Sequence, residues 1–133
     1  MFACGRVIQV TGEYGASPTK IFLAGLMDWI DSVPPTSEAI AGTKTLVQGV
    51  VHINCIYETG LDEMIIGYRP LELDSIEPNY FRSQTGYQPE NCKLMKGLEE
   101  IRSITKEEWK RYETLGGWGT DYIRVLAESK LLS

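Results

Sequence analysis

Residues 45–68 read TLVQGVVHINCIYETGLDEMIIGY, and the reading of this stretch decides the fold class. From Val51 onward the side chains alternate. Val51, Ile53, Cys55 and Tyr57 point one way; His52 and Asn54 point the other, with Ile56 among them. A period of two over seven residues marks a strand with one buried face. ETGLDE then supplies turn residues, and MIIGY offers a returning apolar run. An antiparallel hairpin over 45–68 is the expectation, in a sheet that packs one face and wets the other.

Working outward toward the N-terminus, CGRVIQVT (4–11) reads as a first strand and GEYGASP (12–18) as a turn. The next segment supports two readings. Ser17 before Pro18 makes a good helix start, and Phe22, Leu26, Trp29, Ile30 and Val33 then share one helical face. Thr19–Leu23 would also suit a strand, and Gly25 weakens a helix by roughly 1 kcal/mol. The reading favoured is a helix from about 18 to 32, ended by Pro34 and Pro35.

Toward the C-terminus, residues 71–73 suggest a short strand, and 93–104 suit either a strand or a helix. Thr105 opens a capping box, T-K-E-E, with Glu108, and Trp109, Tyr112 and Leu115 share a face beyond it. Gly116 and Gly117 are expected to stop that helix. Thr120 is expected to cap a last helix, Asp121–Leu131, anchored by Ile123, Leu126 and Leu131. Strands come first and helices last. This order predicts an α+β fold: an antiparallel sheet in the N-terminal and central part, with C-terminal helices packed against it. One domain covers 1–133, strand-rich over 1–75, an aromatic loop over 76–92 and helical over 93–133.

Composition narrows the function classes. Hydrophobic residues make up 43% and charged residues 23%, ordinary for a water-soluble domain. The longest apolar run, IFLAGLM, is too short to span a bilayer, and no signal-peptide pattern is evident. Cys4, Cys55 and Cys92 are far apart and odd in number, so no disulfide framework or metal-ligand spacing results; a reducing, cytoplasmic setting is expected. The net charge of −5 argues against binding to a nucleic-acid backbone, though not against a small anion in a local arginine pocket.

No catalytic, metal-binding or cofactor pattern stands out. His52, the single histidine, falls on the polar face of its strand, and no known nucleophile or nucleotide-loop motif occurs. Binding chemistry is richer. Residues 67–92, GYRPLELDSIEPNYFRSQTGYQPENC, form a long irregular connection loaded with rings and guanidinium groups. Phe81 or Tyr80 could stack a base, and Asn91 carries the donor–acceptor pair that reads an adenine edge. Arg69, Arg82 and Arg111 offer fork-shaped donors for phosphate. GGWG (116–119) offers backbone amides and the Trp118 indole beside a helix start. The plainer reading of each is ordinary: rings packed on their own sheet, and arginines, with the acids Glu72, Asp74 and Glu77, in solvent.

These residues carry a resemblance. The size, the sheet-then-helix layout and the aromatic and asparagine ten residues apart at Phe81 and Asn91 resemble the phage Thoeris anti-defence proteins of the first type. In that family such a pair recognises adenine, and Arg111 would match an arginine near the start of the penultimate helix. The resemblance covers the second half of the chain. It implies an obligate oligomer in the host cytoplasm that binds cyclic ADP-ribose isomers without cleaving them, and in some members cyclic oligonucleotides. Self-association is also expected from the residues themselves: Val50 and Ile56 lie off the main apolar face, and the aromatics exceed what a small core needs. A second likeness, of KIFLAGLM (20–27) to the first strand of nucleoside deoxyribosyltransferase-like proteins, departs from that pattern at Leu26, where those carry proline. It frames the alternative of a nucleotide-processing glycosyl transferase or hydrolase; an inhibitor module binding a host protein is the third possibility. On the sponge reading, Phe81→Ala and Asn91→Ala are expected to weaken ligand uptake and leave the fold intact.

Overall fold

A computed structural model describes residues 1–10, 21–52, 67–83 and 91–132. The fold is α+β, as the element order predicts. Strands β1 (Phe2–Val10), β2 (Ile21–Asp31) and β3 (Thr45–His52) pair antiparallel in that order. A second sheet contains β4 (Tyr80–Arg82), β5 (Lys93–Lys96) and β6 (Glu99–Ser103), again antiparallel. Helix α1 (Lys106–Arg111) follows. Then β7 (Gly117–Trp118) joins the first sheet parallel to β3, and helix α2 (Thr120–Leu131) ends the described chain. No helix among the described residues is long and apolar enough to cross a membrane.

β2 is the centre of the structure, and it corrects the helix expected over 18–32. Its apolar run is continuous because both faces are covered. Phe22, Ala24 and Leu26 pack with Val51 and Trp118 against Ile123, Leu126, Ala127 and Leu131 of α2. Leu23 and Met27, on the opposite face, pack with Cys4, Ile8, Ile40, Ile76 and Phe81. A helix would have buried one stripe only. Burial of each such side chain contributes about 1.5–3 kcal/mol. Gly25 sits where a Cβ would meet Thr45 Cγ2 at 2.6 Å and Ile8 Cδ1 at 2.7 Å, so here glycine permits close strand packing.

The second sheet lies over the Leu23 and Met27 face, sending Phe81 and Met95 into the shared core. On its outer side α1 lays Trp109 and Tyr112 over Cys92, Leu94 and Ile104. The capping box forms as read: the Glu108 amide donates to Thr105 Oγ1 at 3.2 Å, and the Thr105 amide donates to Glu108 Oε1 at 3.1 Å. The segment 93–104, open between two readings, is the β5–β6 hairpin.

Three further expectations need correction. Residues 71–74 form a 3₁₀ turn rather than a strand, with Asp74 drawn inward and Ser75 in the left-handed region at φ 54°. Gly116 and Gly117 do not stop α1, which ends at Arg111; Gly117 belongs to β7, and the Gly116 carbonyl accepts from the Val50 amide at 2.9 Å. The cap of α2 is Gly119, and Thr120 is already helical. The first strand agrees with its prediction, beginning two residues earlier. The turn 12–18, the returning half of the 45–68 hairpin up to Ile66, and Cys55 lie outside the described residues; Gly67 and Tyr68 are irregular.

The Trp118 indole lies against Gly49 of β3. A Cβ built on Gly49 would stand 2.2 Å from the indole, so the glycine leaves room for the ring. Gly49→Ala should cost roughly 1–3 kcal/mol by forcing ring or strand aside, read as a lower urea midpoint at unchanged slope. Unchanged stability would mean that the indole does not need this seat.

Candidate functional site

Two neighbouring features meet at Tyr80. The first is a strip of cations and rings on the α1 side of the second sheet. Strand parity places Tyr80, Arg82, Leu94 and Lys96 on this side, because Tyr80 pairs with Lys96 and Arg82 with Leu94. The Arg82 guanidinium stands 4.1 Å from the Trp109 ring centre. It also donates to the Trp109 carbonyl at 2.7 Å and to Thr114 Oγ1 at 2.8 Å. The Tyr80 and Tyr112 rings have centroids 6.0 Å apart, and the Lys96 ammonium lies 5.7 Å from the Tyr80 ring centre. Tyr80 is 45% exposed and presents the open face of this strip.

The second feature is an open cleft of about 340 Å³ between the start of β3 and the chain from Ser75 to Tyr80. Its floor is Gln48, which is buried and whose amide is committed. Gln48 Nε2 donates to the Glu77 carbonyl at 2.9 Å and to Thr45 Oγ1 at 3.3 Å, while its Oε1 accepts from the Asn79 amide at 2.8 Å. One side chain thus fastens residues 77–79 to the sheet. Lys44, Thr45, Ser75, Ile76, Glu77, Pro78, Asn79 and Tyr80 complete the lining.

Behind the cleft lies a charged cluster centred on Asp74, whose side chain is 1% exposed. Its Oδ2 accepts from Arg6 Nη1 and Arg69 Nε, both at 2.7 Å. Its Oδ1 accepts from Arg69 Nη2 at 3.0 Å and from the Gly42 amide at 2.7 Å. The Lys44 ammonium donates to the Asp74 carbonyl at 2.5 Å, and Arg6 Nη2 donates to the Arg69 carbonyl at 2.7 Å. Hydrogen bonds from Arg69, then from the Gly42 amide and Arg6, hold the Asp74 carboxyl well below the usual carboxylate range. These bonds outweigh the desolvation that opposes them.

The residues expected to bind ligand separate into three groups. Phe81 is 5% exposed in the central core, and Trp118 is buried under α2. Arg69 is engaged with Asp74, and Arg82 with Trp109 and Thr114. Tyr80, Asn91 and Arg111 are exposed. Asn91 precedes Cys92, which packs under Trp109 and Tyr112, and Arg111 precedes Tyr112, so both border the strip. Truncation of the Phe81 ring would remove core packing worth about 3–5 kcal/mol. Of the other candidates, Glu72 and Glu77 are exposed and Asp74 is the buried hub. His52 is exposed at the end of β3. Cys4 and Cys92 are buried, and burial pushes the Cys4 thiol up, against thiolate formation, despite the nearby charge of Arg6.

Lys44, Gln48 and Asn79 were not singled out in the sequence. Gln48 carried one usable signal, a long polar side chain inside an otherwise apolar strand. The chain matches no protein-family model, no curated protein and no solved structure.

A second ion pair shares the electrostatic logic of Asp74. Arg102 forks onto Glu108, with Nη1–Oε1 at 2.7 Å and Nη2–Oε2 at 2.6 Å. That contact first, and the Thr105 amide second, lowers the Glu108 carboxyl from 4.5 to about 2. Both carboxyls are depressed on folding, so their stabilisation is complete above the unfolded value and lost as pH falls through the folded one. For Glu108 the loss runs from pH 4.5 down to about 2, and for Asp74 it extends lower. Arg102 is half exposed, so solvent screens the Glu108 contribution. Asp74→Asn should therefore lower the neutral-pH Tm more than Glu108→Gln and flatten the acid limb of the Tm profile. Equal losses in the two variants would deny the buried cluster its greater weight.

Proposed function

We infer that the chain binds and holds, without cleaving, a small nucleotide-like ligand. The family resemblance supplies cyclic ADP-ribose isomers as the class to try first. The observation that carries the reading is Tyr80. Its exposed ring is flanked by the Lys96 ammonium and the Tyr112 ring, and the residue also lines the cleft that Lys44 shares. A flat ring beside fixed cations suits a flat, anionic ligand, since base–aromatic stacking contributes about 1–3 kcal/mol. Asn91 and Arg111, at the border of the strip, remain the candidates for a base edge and a phosphate.

The protein is incubated with cyclic ADP-ribose isomers, freed of unbound ligand, heated and chromatographed. Intact ligand released only on heating is the expected result. Tyr80→Ala should cut uptake by roughly tenfold, matching the lost stacking, while leaving the melting curve nearly unchanged because the ring is exposed. Recovery of a cleaved product would establish an enzyme instead, and no uptake would favour a protein-binding module.

Self-association belongs to the same reading. Val7, Val10, Tyr122 and Val125 are each more than half exposed, apolar surface of the kind that an interface between copies would cover. Light scattering should give at least a dimer mass at micromolar concentration; a monomer mass would remove this part of the proposal.

A further inference from the structure

The cleft carries more information than its contact with Tyr80. Its inner end adjoins a cluster of cations. Arg6 and Arg69 donate to the Asp74 carboxylate and Lys44 to the Asp74 carbonyl, and Arg69 also senses Glu38. Lys44 is the member of this cluster that lines the cleft. Its ammonium is pinned to the Asp74 carbonyl, a bond that takes one of its three donors. The other lining residues include the hydroxyl-bearing Thr45 and Ser75, Asn79, Glu77 and Tyr80, beside Gln48 and the apolar Ile76 and Pro78. Ser75 is also the one non-glycine residue with positive φ among the described residues, a local strain of the sort that accumulates at binding sites.

We propose that this cleft is a subsite for a phosphorylated sugar, with Lys44 on the phosphate, the Glu77, Asn79 and Ser75 rim on the hydroxyls, and Tyr80 against the flat part of the ligand. The volume, about 340 Å³, lies at the lower end of the range for small-molecule pockets. It suits one phosphate-bearing sugar rather than a whole dinucleotide. Glu77 in the lining disfavours a bare anion and offers a carboxylate that can accept from sugar hydroxyls. The inference deepens the sequestration reading and rests on it for the wider ligand, but the subsite makes its own demand: sugar phosphate must bind without a base attached.

The probe is ribose 5-phosphate, followed by amide chemical shifts and by calorimetry on the full chain. The expected result is a set of shifts centred on residues 44–48 and 75–80, with ribose alone at least tenfold weaker. Lys44→Gln should weaken ribose 5-phosphate by about tenfold or more, Lys44→Arg should retain most of the affinity, and added salt should weaken the wild type. Shifts centred elsewhere, no binding, or equal affinity for ribose and its phosphate would overturn the proposal. Should Lys44→Gln fail to fold, the wild-type shift map and the ribose comparison decide alone. Cyclic ADP-ribose separates the two readings. If it is held equally by wild type and by folded Lys44→Gln, the subsite falls and sequestration stands. If ribose 5-phosphate binds through Lys44 and no cyclic ADP-ribose isomer is held, the subsite stands and sequestration falls.

Discussion

One buried carboxylate ties the periphery of this fold together. Asp74 receives Arg6 from β1, the Gly42 amide from the β2–β3 connection and Arg69 from its own segment, while its carbonyl receives Lys44. Replacing such a cluster whole by well-packed apolar side chains would cost little, but removing one partner leaves a buried charge unpaired. The effect of the cluster is on geometry. If any of the three segments slipped by one residue, a buried charge would lose its partner, which is costly. The cluster therefore fixes where the chain from 69 to 75 crosses the sheet, and with it the inner wall of the cleft.

How much of this could be read from sequence depends on how local each interaction is. The capping box at Thr105 and Glu108 is a contact over three residues, so its pattern is legible without knowledge of the rest of the fold. The α+β class follows from element order. The strand β2 was not legible, because a continuous apolar run is produced equally by a helix and by a strand covered on both faces. Only the arrival of α2 on one side and the second sheet on the other settles it. Leu71–Asp74 misleads for a similar reason. Leu-Glu-Leu alternates like a strand, but Asp74 must turn inward to partners 32 and 68 residues away.

The binding residues show the same division at finer scale. Tyr80 and Phe81 are adjacent rings, and sequence chemistry cannot rank them. Strand parity can: neighbours in a strand face opposite sides. Phe81 pairs with Met95 and enters the core, so Tyr80, paired with Lys96, must face outward. Arg69 and Arg82 were sensible phosphate ligands as residue types, yet each is already satisfied by the protein, one by a carboxylate and the other by an indole face and two oxygens. Of the cations near Tyr80, Lys44 and Lys96 act as point charges, and the exposed Arg111, next in the chain to Tyr112, keeps a planar fork.

This distribution of roles bears on affinity. Gln48 spends its whole amide to hold 77–79, and Asp74 holds Lys44 and the approach to Ser75. The two anchors are separate, one neutral and one ionic. A ligand entering the cleft meets backbone already fixed, so less of the binding free energy is lost to ordering the site. Its lining residues differ in chemistry: Lys44, whose ammonium is held by the Asp74 carbonyl, the partly exposed Tyr80, and residues bearing hydroxyl, amide and carboxylate groups. On the proposed reading, such a lining would distinguish the anion, the hydroxyls and the flat part of a ligand. Ionic strength should then govern chiefly the anion's share of the affinity, because screening acts on the exposed ammonium and leaves stacking unchanged.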